Sequence, residues 1–555
     1  SEIVFSDGTT LSIKAQDVLV IVGPNNAGKS ATLRGIQVKL KSSSEPSHVL
    51  TSIVVTKEGD VIDLEKWVTQ WTRRKPTSDA ENPQYAGLGA TIHQSVIRFD
   101  WQQKNSLGHL TRWMCHFLTA DERLQICNPP KTISFSQEGQ SHPIHYLQRD
   151  DSLELNLSAK FHAAFGVDMI VHRNAGSTVP VHVGERPAIE LGEDRVSFSY
   201  IKKLEQLPCL HEQGDGMRSF AGVLLATSVG REAILLIDEP EAFLHPPQAR
   251  LLGETLVESK GDSRQLFIAT HSSDVLRGIL NTNSPDVKVA RIRRNGGVNS
   301  IKLLDNSRIK ELWGDPLLRY SNIFDGLFHE GVVVCEGDAD CRFYAAVLDA
   351  VCSASGGSLK RPDMMFTHCG GKARLPMVIR ALREVDVPVC AVADFDVFSD
   401  EEPLKSIIEA LGKKWADFSK DWKTVKSAID SKRPDLSTED VKNEIAKILK
   451  TVSSSSLPEA AREDLRTVLR KSSAWSIAKL VGCPFVPSGD PTKACENLLQ
   501  MFREAGLHVV EVGEVEGFVR AEAGHGPKWV NAVLSRNLAI DPALETARAF
   551  VKRLI

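Results

Sequence analysis

The apolar pentad Val18-Leu19-Val20-Ile21-Val22 runs straight into Gly23-Pro24-Asn25-Asn26-Ala27-Gly28-Lys29-Ser30 and then into Ala31-Thr32-Leu33-Arg34. A buried strand, a glycine-bearing loop and a helix in that order restrict the fold more than any other stretch of the chain. Gly23 and Gly28 let the backbone curl so that the amides of Asn25, Asn26, Ala27 and their neighbours face an anion at a helix N-terminus. Lys29 brings a positive charge to the outer phosphates of a nucleotide, and the Ser30 hydroxyl is placed to ligate Mg²⁺.

A phosphate loop of this kind needs a second strand ending in acid, and Ala233-Ile234-Leu235-Leu236-Ile237-Asp238-Glu239 provides one. An unbroken apolar run of that length fits a strand covered on both faces of a parallel sheet. Asp238 is expected to hold Mg²⁺, directly or through water, and Glu239 to polarise the attacking water. A third apolar strand, Gln265-Leu266-Phe267-Ile268-Ala269-Thr270-His271-Ser272, carries a histidine at its end, and Gly214-Asp215-Gly216-Met217-Arg218-Ser219-Phe220 lies upstream. The set GPNNAGKS, GDGMRS, LLIDEPEAFLHP and ATHSSD resembles the SMC/Rad50-like branch of the ABC ATPases. That resemblance implies ATP as ligand, His271 as sensor of the γ-phosphate, and Gly214 and Gly216 capping the nucleotide of a facing protomer. It therefore implies a homodimer. Gln94 is a weak candidate for the glutamine that such proteins place near the metal.

Near residue 330 the pattern restarts. Gly331-Val332-Val333-Val334-Cys335 ends in Glu336-Gly337-Asp338-Ala339-Asp340, and Pro388 to Ala393 ends in Asp394-Phe395-Asp396. On an extended segment Asp394 and Asp396 point the same way, and Glu336 at a neighbouring strand end can join them in an oxygen-rich site for Mg²⁺ or Mn²⁺. Leu507 to Gly517 reads as a late strand with Glu514 and Glu516 alternating onto one side, followed by a helix starting at Gly524-His525-Gly526-Pro527-Lys528. Acids at two apolar strand ends resemble the Toprim domain.

An SMC-like ATPase domain followed by a Toprim domain with GEVEGF and HGPKW resembles the OLD (overcoming lysogenization defect) family of ATP-dependent nucleases. The expected fold is thus α/β: an ABC-type domain over 1–328 and a Rossmann-like parallel-sheet Toprim domain over 329–555. The resemblance implies Mg²⁺- or Mn²⁺-dependent DNA cleavage by two-metal chemistry, with Glu336, Asp340, Asp394 and Asp396 as ligands. It assigns Glu514 and Glu516 to a second cation and Lys528 to charge stabilisation at the scissile phosphate. It also implies a role in anti-phage defence, and in some members a helicase or other defence component as partner. Residues about 100–165, including the helix-like Leu107 to Leu118, are expected to form a dimerisation insertion, and about 402–500 a helical insertion in the Toprim domain.

Composition narrows the alternatives. With 555 residues and a net charge of −4, the chain carries no global signature of a polyanion binder, so nucleic acid must meet local basic patches such as Arg73-Arg74-Lys75, Arg291 to Arg294 or Arg466 to Lys471. Ten cysteines without a CxxC pair argue against a zinc ribbon and for reduced thiols. The absence of a long apolar stretch leaves a cytoplasmic protein as the expectation. A topoisomerase would need a nucleophilic tyrosine on a partner domain, and none of the five tyrosines lies in an evident one. A clamp or sensor that binds a cation without cleaving DNA would be favoured by a damaged acid pair or a missing lysine, and both are present.

Overall fold

A computed structural model describes the chain except residues 77, 135–137, 262–263, 305–313, 315–322, 357–361, 385, 433–437, 453–455 and 471–473, and the side chains of 440, 460, 463, 466, 467, 469 and 470. The basic stretch from Arg466 to Lys471 thus lies largely outside the described side chains. The chain divides into two compact units, Ser1–Gly314 and Asp315–Ile555. The break falls ahead of 328 because the 3₁₀ turn Ile323–Phe328 packs with the second unit, its Gly326 lying against Val332.

In the first unit a six-stranded sheet runs in the order Val298–Leu303, Val287–Asn295, Val18–Val22, Gln265–Ala269, Ile234–Asp238, Cys115–Leu118. All neighbours are parallel except the edge hairpin formed by the first two. The central strand is buried at every position, as its unbroken β-branched and leucine run requires. Register pairs Val20 with Ile268 and with Val289, and Asp238 with Ala269, so the loops after Val22, Asp238 and Ala269 emerge together at one edge. A smaller antiparallel sheet, Thr10–Ser12, Glu2–Phe5 and Leu50–Val54, shares its apolar core with one face of the large one.

One expectation fails here. Leu107 to Leu118 is not a helix: after short turns over Gly108–Leu110 and Thr111–Met114 the chain forms the strand Cys115–Leu118, which pairs with Ile234–Asp238. Part of the segment 100–165 is therefore integral to the ATPase sheet. The rest holds the helix Asp151–Phe165, which packs on the strand Asp168–Val171.

The second unit has four parallel strands in the order Met364–His368, Gly331–Cys335, Val389–Ala393, Leu507–Val509. Between the last two in sequence the chain is helical, passing through Glu401–Ala410, Ala416–Ser431, Thr438–Lys450, Glu459–Arg470, Ala474–Val481 and Asp490–Ala505. The helix Asp338–Ala354 covers one face, where the rings of Phe343, Tyr344, Phe518 and Trp529 meet edge-on or tilted in the core.

Candidate functional site

The phosphate loop sits at the carboxyl edge of the first sheet. Gly28 has φ +104, and a Cβ there would meet the Asn299 amide at 2.7 Å, while that amide donates to the Ala27 carbonyl at 2.7 Å. Only glycine suits both the left-handed backbone and the close approach. Lys29 is buried at the start of helix Lys29–Lys41 and its Nζ donates to the Gly23 and Pro24 carbonyls, at 2.8 and 3.0 Å. Ser30 Oγ donates to Asp238 Oδ1 at 2.8 Å, which joins the two expected magnesium groups directly. Burial raises the Asp238 pKa, with Ser30 pulling the other way.

Glu239 has φ +48, an uncommon conformation for this residue type, and its carboxylate faces His271 Nδ1 at 3.4 Å. Buried Arg123 holds it there, donating to the carbonyls of Asp238 and Glu239 at 2.7 and 2.9 Å and to Ser219 Oγ at 3.2 Å. Ser219 lies on helix Asp215–Val229, so Arg123 ties the acid-bearing strand end to the helix capped by Gly214, with Gly216 in its first turn. Glu241 accepts from the His271 backbone N–H at 3.0 Å and from Thr270 Oγ1 at 2.8 Å, fixing the base of the histidine. Gln94 is elsewhere engaged, its amide donating to Glu65 at 3.0 Å. The strand beside Ile234–Asp238 ends at Leu118, and Thr119 caps the helix Ala120–Gln125 that follows.

The second unit gathers acids at the carboxyl ends of its strands. Ligand atoms of Glu336, Asp394 and Asp396 lie within 4.8 Å of one another, and so do those of Glu514, Glu516 and His525. The local geometry differs from simple strand alternation. The strand ends at Ala393, with Asp394 and Asp396 entering the 3₁₀ turn Phe395–Ser399. The last strand likewise stops at Val509, and Glu514 caps the 3₁₀ turn Val515–Val519 that carries Glu516. Asp340 sits on the first turn of helix Asp338–Ala354, accepting from the Gly337 N–H at 3.0 Å.

Charge crowding is evident in the carboxyls. Burial, then Asp394 and Asp396, push Glu336 up to about 7. Burial and Asp394 push Asp340 up to about 6, and burial also raises Asp394 and Glu514. Asp396 Oδ1 is buried without a hydrogen-bond partner. Crowded, partly desolvated carboxylates with an orphaned oxygen suit a hard divalent cation, and the second trio adds an imidazole. His525, which pairs with Glu516, was legible only as part of the GHGPK turn, and the Gly526 N–H also donates to Glu516 at 2.7 Å. Lys528 lies exposed on the first turn of helix Pro527–Leu534 and forms no ion pair among the described residues.

Two lysines complete the cluster without any local motif to announce them. Lys479 Nζ stands 2.8 Å from Asp394 Oδ2 and 3.8 Å from Asp396 Oδ1, and Lys372 Nζ 3.3 Å from Asp396 Oδ2. Burial works against the Lys479 ammonium, yet Asp394 and Asp396 hold its pKa above the ordinary lysine value.

These features define an ABC-type ATPase domain joined to a Toprim domain, a pairing of nucleotide-using and divalent-metal-using folds. Residues 134–277 match the family model "AAA domain, putative AbiEii toxin, Type IV TA system", and residues 327–396 match "Overcoming lysogenization defect protein-like, TOPRIM domain". The two matches support the ATPase–Toprim architecture of the OLD family. It is 32% identical over 101 residues to the uncharacterized protein MJECL11 of Methanocaldococcus jannaschii, covering 17% of this chain and 89% of that one. It is 25% identical over 173 residues to the Old nuclease of Escherichia phage P2, covering 30% of this chain and 28% of that one. It is also 27% identical over 185 residues to the OLD nuclease of Thermus scotoductus, covering 30% of this chain and 32% of that one. The matches thus span about a third or less of the length of either nuclease. Among solved structures, an SMC head bound to the C-winged helix domain of ScpA aligns over 55% of this chain and 96% of that chain, at 11% identity and a TM-score of 0.34.

Proposed function

We propose that the protein binds and hydrolyses ATP and is a divalent-metal-dependent DNA endonuclease. The observation that carries this reading is the pair of ligand trios, Glu336/Asp394/Asp396 and Glu514/Glu516/His525, at the strand ends of an OLD-like Toprim sheet. The two relatives named as nucleases support it.

The two trios would hold the cations, with Asp340 adjoining them. Mg²⁺ or Mn²⁺ bound there lowers the pKa of a coordinated water and neutralises charge at a phosphodiester. Lys528, on an exposed first helical turn beside the Glu516-bound Gly526, is free to meet the scissile phosphate as negative charge develops. In the ATPase unit Lys29 turns from its loop carbonyls to the outer phosphates, Ser30 and Asp238 hold the magnesium, and Glu239 orients water beside His271. Gly214 and Gly216, at the N-terminus of a fifteen-residue helix, would cap the nucleotide of a second copy, giving a homodimer.

The resemblance to the OLD family supports a role in anti-phage defence beside a helicase or another defence component. A DNA substrate supports a cytoplasmic place of action; no described helix is long and apolar enough to cross a membrane. Incubating the purified protein with supercoiled plasmid and Mg²⁺ or Mn²⁺, with and without ATP, tests the proposal. Nicked or linear product that depends on the metal is expected. Intact plasmid under every metal and nucleotide condition would count against nuclease activity.

A further inference from the structure

Lys479 does not come from the parallel sheet whose acids it meets. It lies on helix Ala474–Val481, within the helical stretch that precedes the last strand. That helix is firmly seated. Gly513 has φ +110, and a Cβ there would run into the Lys479 carbonyl, so the turn before Glu514 is pressed against the backbone of Lys479 itself. The Cys483 N–H donates to the Glu511 carbonyl at 2.9 Å, and Arg520 bridges the carbonyls of Val481 and Val512 at 2.9 and 3.3 Å. At the other end Trp475 Nε1 donates to Asp430 at 2.7 Å. The lysine is thus delivered to the acids by a built contact.

Its ammonium is an imperfect tenant. It satisfies Asp394 Oδ2 at 2.8 Å but leaves Asp396 Oδ1, at 3.8 Å, buried without a hydrogen-bond partner. A divalent cation carries twice the charge and binds carboxylate oxygens at about 2.1 Å, so it draws on the same two carboxylates more strongly and at closer range. Lysine and cation cannot both sit between Asp394 and Asp396 at those distances.

We propose that Lys479 is a built-in competitor for the divalent cation at the Asp394–Asp396 pair. Its ammonium holds the two carboxylates together, and loading of the cation requires the side chain to withdraw. The helix Ala474–Val481 thereby sets the metal concentration at which the site fills. This rests on reading the Glu336/Asp394/Asp396 trio as a metal centre, and the test separates the two claims.

Mn²⁺ binding is measured on the full chain, without DNA or nucleotide, by titration calorimetry and by the electron paramagnetic resonance signal of free Mn²⁺. Lys479→Met keeps the aliphatic stem and removes the charge, and it is expected to tighten one class of sites on the order of tenfold. Lys479→Arg, which keeps the charge, stays near the wild type. Adding Asp394→Asn to Lys479→Met abolishes the gain. In the absence of divalent cation Lys479→Met lowers the thermal midpoint, and Mg²⁺ raises it further than in the wild type. Should Lys479→Met destabilise the fold, Lys479→Gln provides the same comparison. Unchanged or weaker Mn²⁺ affinity in the charge-removed variants would overturn the competitor role alone. No Mn²⁺ binding by wild type or variants would overturn the metal-centre reading and this inference with it.

Discussion

At the scale of single residues, several of the candidate groups are ones that the fold desolvates or strains, Lys29, Asp394 and Glu239 among them. Lys29 is buried against two carbonyls and Glu239 is held at φ +48 by Arg123, while the neighbouring Glu241 is engaged by Thr270 Oγ1 and the His271 backbone N–H. Lys29→Ala and Glu239→Gln are each expected to lower the ATP turnover rate by about a hundredfold or more, measured as phosphate release. Undiminished release in both would contradict the ATPase assignment. His508, buried on the strand Leu507–Val509, makes a separate prediction. Burial, then Arg553 and Arg503, lower its pKa to about 4, whereas a histidine in the unfolded chain titrates near 6.5. Between those values the unfolded chain takes up a proton that the folded chain refuses, so this contribution to stability is complete above about 6.5 and drains away as the pH falls toward 4. Whatever the other titrating groups add, from pH 7 to pH 5 the thermal midpoint of His508→Gln should change more favourably than that of the wild type. An equal slope in the variant would show that His508 is not responsible.

The same scale shows what was legible in advance. Gly28, Lys29, Ser30, Asp238, Glu336, Asp394 and Glu516 stand at fixed short offsets from apolar runs, so their candidacy is written in local spacing. Lys479, Lys372 and Arg123 reach their partners across the fold, at sequence separations that no local pattern encodes.

At the scale of elements, periodicity misled where a strand is short or a glycine interrupts it. Leu107, Leu110, Met114 and Leu118 keep helical spacing, but Cys115–Leu118 gains more by completing the parallel sheet beside Ile234–Asp238. The alternation from Val509 to Glu516 looks like a strand, yet Gly513 at φ +110 turns the chain, and a 3₁₀ turn presents the acids. The helix Asp151–Phe165 is fixed to its neighbours by charge as well as by the buried Leu157 and Phe161, Phe161 and Phe165 both meeting Phe220. Glu154, fully buried, accepts from Arg173, Arg186 and Arg195 at 2.6, 2.8 and 2.9 Å, joining the helix to the hairpin Asp168–Val171/Val181–Gly184 and the loop beyond it. Glu154→Gln leaves three partly buried guanidinium groups without their central carboxylate, and a loss of about 3 to 5 kcal/mol in unfolding free energy is expected from denaturant titration. A loss below about 1 kcal/mol would mean that solvent already screens the cluster.

At the scale of the whole molecule, each unit has parallel strands whose carboxyl ends collect acids, with a lysine close by: Lys29 in the first unit, Lys479 and Lys372 in the second. A helix N-terminus such as that at Gly214 acts on a nucleotide only when one is presented to it, and the account assigns that nucleotide to a second copy. Glu239→Gln with ATP and Mg²⁺ should therefore accumulate a dimer in light scattering at micromolar concentration. A strictly monomeric species under those conditions would contradict that assignment.

The central claim, that cleavage and ATP hydrolysis occupy separate centres, is tested most directly by assaying Asp394→Ala and Lys528→Ala side by side for plasmid cleavage and phosphate release. Asp394→Ala removes an oxygen shared by the Glu336 trio, and Lys528→Ala removes an exposed charge without touching either trio. The account predicts that both variants lose metal-dependent cleavage by about a hundredfold or more while ATP hydrolysis persists. Cleavage that survives both substitutions would contradict it.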